Sequence, residues 1–306
     1  MIERRRYMGG GNQDQFIQFA DPVVKQILVE LWGGATGGSA ALNTRVNNIK
    51  VPGVDGEMTY KQAASVNSMR DTFRNNTDIR SFDELQYFTG LSVCPVFTRC
   101  TLDIVTIPSN VISFADNTML ATKIENMHIL GSTVKSVGFN TFRTSYITNV
   151  YLDTLEWFFS YNIRNTEQTP LWLATNLYVN EVLTTHIDVP EGITTLCQWF
   201  CSKAIHSMTL PNSLTAIGAD AFRNTQMQTL TIPSGVTSLG ASILYNTTLP
   251  EMVFLPTTPP TATANTWNNN KVTTIYVPDG SVDAYKAADN WGGVASKIKG
   301  LSELPS

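Results

Sequence analysis

Charge is what this 306-residue sequence has least of. Asp, Glu, Lys and Arg together make up 15%, where soluble domains average about 25%. The exterior must therefore be built largely from Thr, Asn, Ser and Gln, a surface that suits extracellular, virion or repeat proteins. Basic residues number 21 and acidic residues 25, for a formal net charge of −4. No basic field occurs beyond Arg4, Arg5 and Arg6. A nucleic-acid groove needs many phosphate-contacting cations, so nucleic acid is set aside as a partner.

Cysteine is sparse as well. The four are Cys94, Cys100, Cys197 and Cys201, too few for a disulfide-stapled fold. Cys197 and Cys201 flank Trp199 and Phe200, and the three histidines, His128, His186 and His206, are scattered. Zinc would need a tighter ligand set, so buried free thiols are expected, with no metal and no cofactor. No apolar run reaches the length of about 18 residues that spans a bilayer, so no membrane insertion is expected. The opening MIERRRYMGGGNQDQ has basic residues with no apolar stretch behind them, which is not a standard secretion signal. Synthesis in a cytoplasm is the expectation.

Catalytic signatures are missing too. There is no nucleophile elbow, no His-x-x-x-His pair and no phosphate-cradling glycine loop beside a strand. GGATGGSA at 33–40 has glycines but no following Lys-Ser/Thr pair. Glycoside hydrolysis needs two carboxylates across a cleft. Asp153, Glu156 and Glu167 are available in name only, and Glu156 beside Trp157, Phe158 and Phe159 reads as a loop edge over packed aromatics. No catalytic residue is expected and the chain is read as a non-enzyme.

What is present is a repeat. Short β-like runs end at Pro108 (DIVTIP), Pro190 (HIDVP), Pro211 (SMTLP), Pro233 (TLTIP), Pro256 (MVFLP) and Pro278 (TIYVP), and from Pro190 onward the steps are 21, 22, 23 and 22 residues. Apolar residues stand one and three places before the proline, as in Ile232 and Leu230. That alternation is a strand with one buried face. Further apolar positions follow three, six and eleven places after it, as in Leu214, Ile217 and Phe222. A unit of this size cannot bury its apolar side alone, but stacked in register it adds one layer to a continuous core. The proline, lacking an N–H, falls just past the strand, where the ladder needs no donor. The rest of each unit is expected to return as a helical or turn-like segment. Two degenerate units precede the clean ones, with Gly131 and Asp153 in the proline slot. His128, in an apolar position of the first, reads as a tolerated core or edge histidine. Residues 154–185 depart from the period and read as an insertion, with NLYVNEVLTTHIDVP forming a β-hairpin about Asn180-Glu181.

The pair of units LPNSLTAIGADAFRNT and LTIPSGVTSLGASILYNT resembles the BspA-like (Treponema-type) leucine-rich repeats: Ile232-Pro233, then Val236 and Leu239-Gly240, with Ile217-Gly218 and Ala221-Phe222 in the unit before. The hairpin stretch and the ending TIYVPDGSVDAYKAADNWGGVASKI are similar to a recurrent unit and the usual closing unit of that family. The resemblance runs over about residues 80–299. It implies an α+β repeat solenoid with short parallel strands, a helical N-terminal cap and a closing C-terminal helix from Ser281 to about Ala288, with Trp291 capping the last layer. It also implies surface association and protein binding, with no shared catalytic residues.

Four regions follow: a polar arm over 1–20, a helical cap over 21–79, the solenoid over 80–299 with its insertion at 154–185, and a tail over 300–306. In the cap, DPVVKQILVEL at 21–31 has Asp21 at an N-cap, Pro22 at N1 and Val24, Ile27, Leu28 and Leu31 on one face. A second helix is expected over about Tyr60–Met69. VPGVDGEMTYKQAA looks like the second half of an EF-hand loop, with Val51, Gly53, Asp55, Glu57 and Gln62 at positions 1, 3, 5, 7 and 12. Calcium needs carboxylates at 1, 3 and 5 and a Glu at 12, so the loop reads as a relic without its ion.

Three functions stay open: a virion component such as a head or tail fibre or decoration protein, a bacterial surface adhesin, and an intracellular interaction scaffold. Protein partners are expected, either neighbouring virion proteins or a host surface molecule, and a homo-oligomer is compatible with the fold. Candidate contact residues are Arg4, Arg5, Arg6 and Tyr7 in the arm, and the aromatics Trp172, Tyr178 and Trp267, with Tyr146 beside them. Such residues anchor interfaces, although each aromatic fits a core or cap equally well. The irregular segments, 1–20, 33–50 and 154–185, are where partner specificity is expected.

Overall fold

The computed structural model describes residues 15–30, 57–131, 134–159, 166–197 and 202–305. The chain forms two compact units. The first is Met1–Tyr161 with Tyr178–Glu181, and the second is Asn162–Leu177 with Val182–Ser306.

In the first unit, Asp21 caps helix α1 (Pro22–Lys25), its carboxylate accepting from the N–H groups of Val23 and Val24. The other carboxylate oxygen accepts from the N–H groups of Arg80 and Ser81 at 2.6 and 3.0 Å. One buried residue thus starts the helix and ties it to the first repeat strand. The helix expected to run on to residue 31 gives way after Lys25 to a wider π turn over Gln26–Glu30. That turn buries Ile27, Leu28 and Val29 in succession, which the one-face pattern of an α-helix would not. Leu31 lies outside the described residues.

Helix α2 (Tyr60–Ser65) opens with a capping box between Thr59 and Gln62. It ends short of the expected Met69, because Val66 turns extended and the chain then buries Val66, Met69 and Phe73. In the calcium-like segment, Val51, Gly53 and Asp55 lie outside the described residues. Glu57 pairs with Lys25 at 2.6 Å. The Gln62 side chain, at the position a calcium loop reserves for its bidentate Glu, is committed to the cap.

The first unit's main sheet is parallel. Strand β1 (Ser81–Phe82) pairs with β2 (Thr101–Ile107), which pairs with β4 (Lys123–Ile129), which pairs with β6 (Tyr146–Leu152). Register aligns like with like: Leu102, Ile124 and Ile147 form one column, Val105, Met127 and Val150 a second, Ile107, Ile129 and Leu152 a third. All nine are buried. A shorter ladder joins β3 (Ser113–Phe114) to β5 (Ser136–Val137).

The second unit repeats the plan. Strand β9 (His186–Asp188) pairs with β11 (Ser207–Thr209). Strands β13 (Thr229–Ile232), β15 (Glu251–Phe254), β17 (Thr274–Val277) and β18 (Ile298–Gly300) follow in parallel. The short ladder holds β10 (Thr195–Leu196), β12 (Ala216–Ile217), β14 (Ser238–Leu239) and β16 (Thr261–Ala262). Gly300, assigned above to a tail, is the last rung, aligned with Val277.

The returns between strands are turns and two-residue strands rather than helices. The cause is left-handed residues within them, two apiece in four returns: Asn117 and Ala121, Asn140 and Thr144, Asp220 and Asn224, and Ser242 and Asn246. Residues at positive φ interrupt a right-handed helix. Returns bond directly to one another, as when the N–H groups of Asn117, Met119 and Ala121 donate to Phe139, Thr141 and Arg143. Gly131, in the proline slot of a degenerate unit, has φ +82°, and a Cβ there would sit 2.9 Å from Ser109.

Between Asn176–Val179 (β7) and Val182–Leu183 (β8), Asn180 and Glu181 both have positive φ, the signature of a type I′ hairpin turn. Val182 and Leu183 at its tip are exposed. Other parts of the departure from the period are packed: Phe158, Thr169, Leu171 and Leu177 are buried. The closing helix, α4 by chain order after the turn α3 (Glu156–Phe159), spans Val282–Ala287. Tyr285 and Trp291 are both fully buried, donating to the carbonyls of Pro256 and Pro260.

Candidate binding surface

Cys94 and Cys100 are buried and free. Burial holds the Cys94 thiol well above its ordinary value and pushes Cys100 up to about 12. Neither is a thiolate nucleophile at neutral pH. Cys197 is half-buried, and burial raises its thiol as well. Cys201 lies outside the described residues. Among the described residues no group of three His, Cys, Asp or Glu side chains is placed to hold a metal.

One constellation resembles a hydrolytic triad and went unnoticed in the sequence. The register of β9 and β11 sets Ser207 opposite His186 and Thr209 opposite Asp188. Ser207 Oγ lies 2.7 Å from His186 Nδ1, with Asp188 Oδ1 at 3.0 Å and Thr209 Oγ1 at 3.2 Å from Nε2. The His186 hydrogen bond, then that of Thr209, holds the Asp188 carboxyl below its ordinary value. A working triad buries its carboxylate and faces its nucleophile toward oxyanion donors. Here the Asp188 side chain is 78% exposed, and the four residues lie along an open ladder. The group is a hydrogen-bonding patch.

The sequence-derived contact residues separate. Arg4, Arg5, Arg6 and Tyr7 lie outside the described residues. Trp267 is corrected to a core residue: it is 9% exposed, with Trp291 at 4.8 Å and Phe254 at 6.5 Å between ring centroids. Its place eleven past a slot proline is the place Phe222 and Leu244 fill, which is why it points inward. Tyr178, in the first unit, stacks on Tyr151 at 4.5 Å, and Tyr151 stacks on His128 at 4.0 Å. His128 is 1% exposed, a buried histidine in an aromatic column. Tyr146 is exposed at the start of β6.

Trp172 is the aromatic that reaches a cleft. Buried Leu171 and Ala174 on either side of it fix the loop, and the Trp172 N–H donates to the Thr169 carbonyl. The Arg223 guanidinium lies 4.9 Å from the Trp172 ring centroid and 4.3 Å from that of Tyr245, a cation held between two rings. Asp220 Oδ1 fixes it further at 3.3 Å. Buried Ser202 fastens the neighbouring loop, donating to the Ala174 carbonyl and accepting from the Ala204 N–H.

Together these segments enclose a cleft of about 580 Å³ in the second unit, into which Trp172, Lys203, His206, Asn224, Gln226 and Asn246 project. A second hollow of about 430 Å³ shares His206 and Gln226 and continues to Gln228 and Thr248. The polar lining follows the repeat. Asn224 and Asn246 stand thirteen places past Pro211 and Pro233, while Gln226 and Thr248 stand fifteen past. The Asn246 amide donates to Asn224 Oδ1 at 2.9 Å, and Gln226 and Thr248 form a parallel bridge. The missed signal was this second polar period running beside the apolar one.

The BspA type leucine-rich repeat region family matches residues 70–170 and 173–288, in six copies. Among solved structures, a leucine-rich repeat protein from Bacteroides ovatus ATCC 8483 is 16% identical, with a TM-score of 0.45, over 74% of this chain and 66% of that one. A leucine rich cell surface protein from Faecalibacterium prausnitzii A2-165 is 18% identical, with a TM-score of 0.33, over 59% of this chain and 64% of that one. This chain thus spans about two thirds of each of them. No curated protein matches. With its parallel ladders in register and the family pattern running over most of its length, the chain belongs to the BspA-type leucine-rich repeat family.

Proposed function

We propose that this chain is a non-enzymatic, surface-displayed binding protein, a virion fibre or decoration component that presents its repeats to a host surface. The carrying observation is how the side chains are spent. Apolar groups stack the repeats, and the cleft beside Trp172 is lined largely by uncharged polar side chains, Asn224, Gln226 and Asn246 among them. The arm bearing Arg4, Arg5, Arg6 and Tyr7 is the anchor to neighbouring proteins. Family membership favours a second setting, the bacterial cell surface. No described helix is long and apolar enough to cross a membrane. In either setting the proposed attachment is a protein partner.

Antibody labelling separates the settings. Particles purified from a producing culture carry the chain if it is a virion component, and deletion of 1–14 abolishes its incorporation while leaving a folded protein, because buried Ile17 and the Ala20 N–H that holds Glu84 are kept. Labelling of intact bacteria with bare particles selects the second setting. A chain found on neither, and only in the soluble lysate, overturns surface display.

A further inference from the structure

We propose that the cleft beside Trp172 is a saccharide-binding site, taking an oligosaccharide along the row His206, Gln226 and Thr248. This names the ligand of the binding function proposed above and rests on that reading. The chemistry of the lining selects the ligand class. Asn224, Asn246, Gln226 and Gln228 bring amides, Thr175, Thr185 and Thr248 bring hydroxyls, and among the described residues Lys203 is the one lining side chain with a fixed charge. A multiply charged anion would need a cluster of cations, and Arg223 is already held between Trp172 and Tyr245. A cationic ligand would need carboxylates, and among the described residues no acid lines either hollow.

A sugar fits what remains. Its hydroxyls donate and accept, as does each side-chain amide with its two N–H donors and carbonyl oxygen. Its C–H faces pack on aromatic rings, and Trp172 supplies one. Among the described residues, the side chains of Gln226, Lys203 and His206 make no hydrogen bond within the protein, while exposed to the hollow. Their capacity is available to a ligand. Asn224 and Asn246, by contrast, hold one another in place, which presents ordered groups at low entropic cost. The continuity of the two hollows through His206 and Gln226 gives room for several sugar units.

The test uses the full chain on an array of neutral and acidic oligosaccharides, with titration calorimetry on the best binder. Binding is expected, with Gln226→Ala weakening it about fivefold to tenfold, the loss of one to two hydrogen bonds. Trp172→Ala should weaken it by at least about tenfold, with circular dichroism reporting that the variant is folded. Lys203→Ala weakens acidic sugars alone if Lys203 reads a carboxylate, and leaves neutral ones unchanged. No saccharide bound by the wild type, or affinity unchanged in both Gln226→Ala and folded Trp172→Ala, overturns the site. So does an equal response to an uncharged peptide in competition. If surface display holds while sugars fail, the saccharide inference alone falls. If display fails, the parent reading falls whatever the array shows.

Discussion

At the residue scale, the repeats are joined by small hydroxyls that a hydrophobic pattern does not reveal. Fourteen places past the proline slot stand Thr122, Ser145, Thr225 and Thr247, all buried. Thr122 donates at 2.8 Å to the Phe97 carbonyl of the preceding turn, and Ser145 and Thr247 reach the equivalent carbonyls of Met119 and Phe222. Thr122→Val keeps the shape and removes this bond, while the Phe97 carbonyl still accepts from the Cys100 N–H, so a loss of about 0.5–1.5 kcal/mol is expected in urea unfolding. An unchanged midpoint would remove the hydroxyl from the account of stacking.

Glu84 shows the opposite situation, a buried charge. It is 6% exposed, and its Oε1 accepts from the Ala20 N–H at 2.6 Å. Burial raises its pKa above the ordinary value, partly offset by that backbone hydrogen bond. The folded chain therefore holds this proton more tightly than the unfolded one. The resulting stability is present below the ordinary carboxylate range and is lost as pH rises through the raised value. Glu84→Gln keeps an acceptor for Ala20 and removes the titration. Denaturant midpoints across pH should show the variant ahead of the wild type at neutral pH and level with it in acid. A constant offset at every pH would refute the assignment.

At the element scale, the short ladder depends on close approach. Gly240 follows β14, and its N–H donates to the Ile217 carbonyl at 2.7 Å. A Cβ there would meet the Ala219 nitrogen at 2.4 Å and the Gly218 carbonyl carbon at 2.7 Å. Backbone cannot swing aside as a side chain can, so Gly240→Ala should cost about 2 kcal/mol or more and lower the melting temperature. A neutral result would mean the repeats can separate locally without loss. The same spacing explains why the returns are not helical. Their apolar positions, such as Phe222, suit a helix, but Asp220 and Asn224 at positive φ do not. Asn occupies many of these positions because its short polar side chain tolerates the left-handed region, and Thr144 and Ala121 show that the stack imposes it on other residues too.

At the scale of the whole molecule, a stack of repeats has ends that need covering. In the first unit Phe73, Phe82, Phe88 and Phe97 pack together, with ring centroids 5.1 to 6.4 Å apart, beside the first strand pair. In the second, Trp291 packs with Phe254, Trp267 and Tyr285. Trp291→Ala removes the centre of that cluster and the hydrogen bond to Pro260, with an expected loss of about 3–5 kcal/mol. Light scattering should then show self-association through the uncovered last rung. A monomeric, fully stable variant would show that β18 and the closing helix suffice without it.

The period of the prolines and the alternation before them settled the repeat, its strand faces and its family, because burial of one face per strand leaves a mark on every unit. The closing helix was legible through the resemblance of TIYVPDGSVDAYKAADNWGGVASKI to the family's closing unit. Sequence pattern carried less at the sites of contact. Trp172 and Trp267 look alike as exposed-loop candidates, yet Leu171 and Ala174 turn inward and leave Trp172 at a cleft, while Trp267 joins Phe254 and Trp291 in the core. His186, Asp188, Ser207 and Thr209, or Asn224 and Asn246, become neighbours only through strand and turn register. Local pattern records which way a residue must face the core. Which polar residues meet on the other side depends on how one repeat is set against the next, and that was decided by the tertiary structure alone.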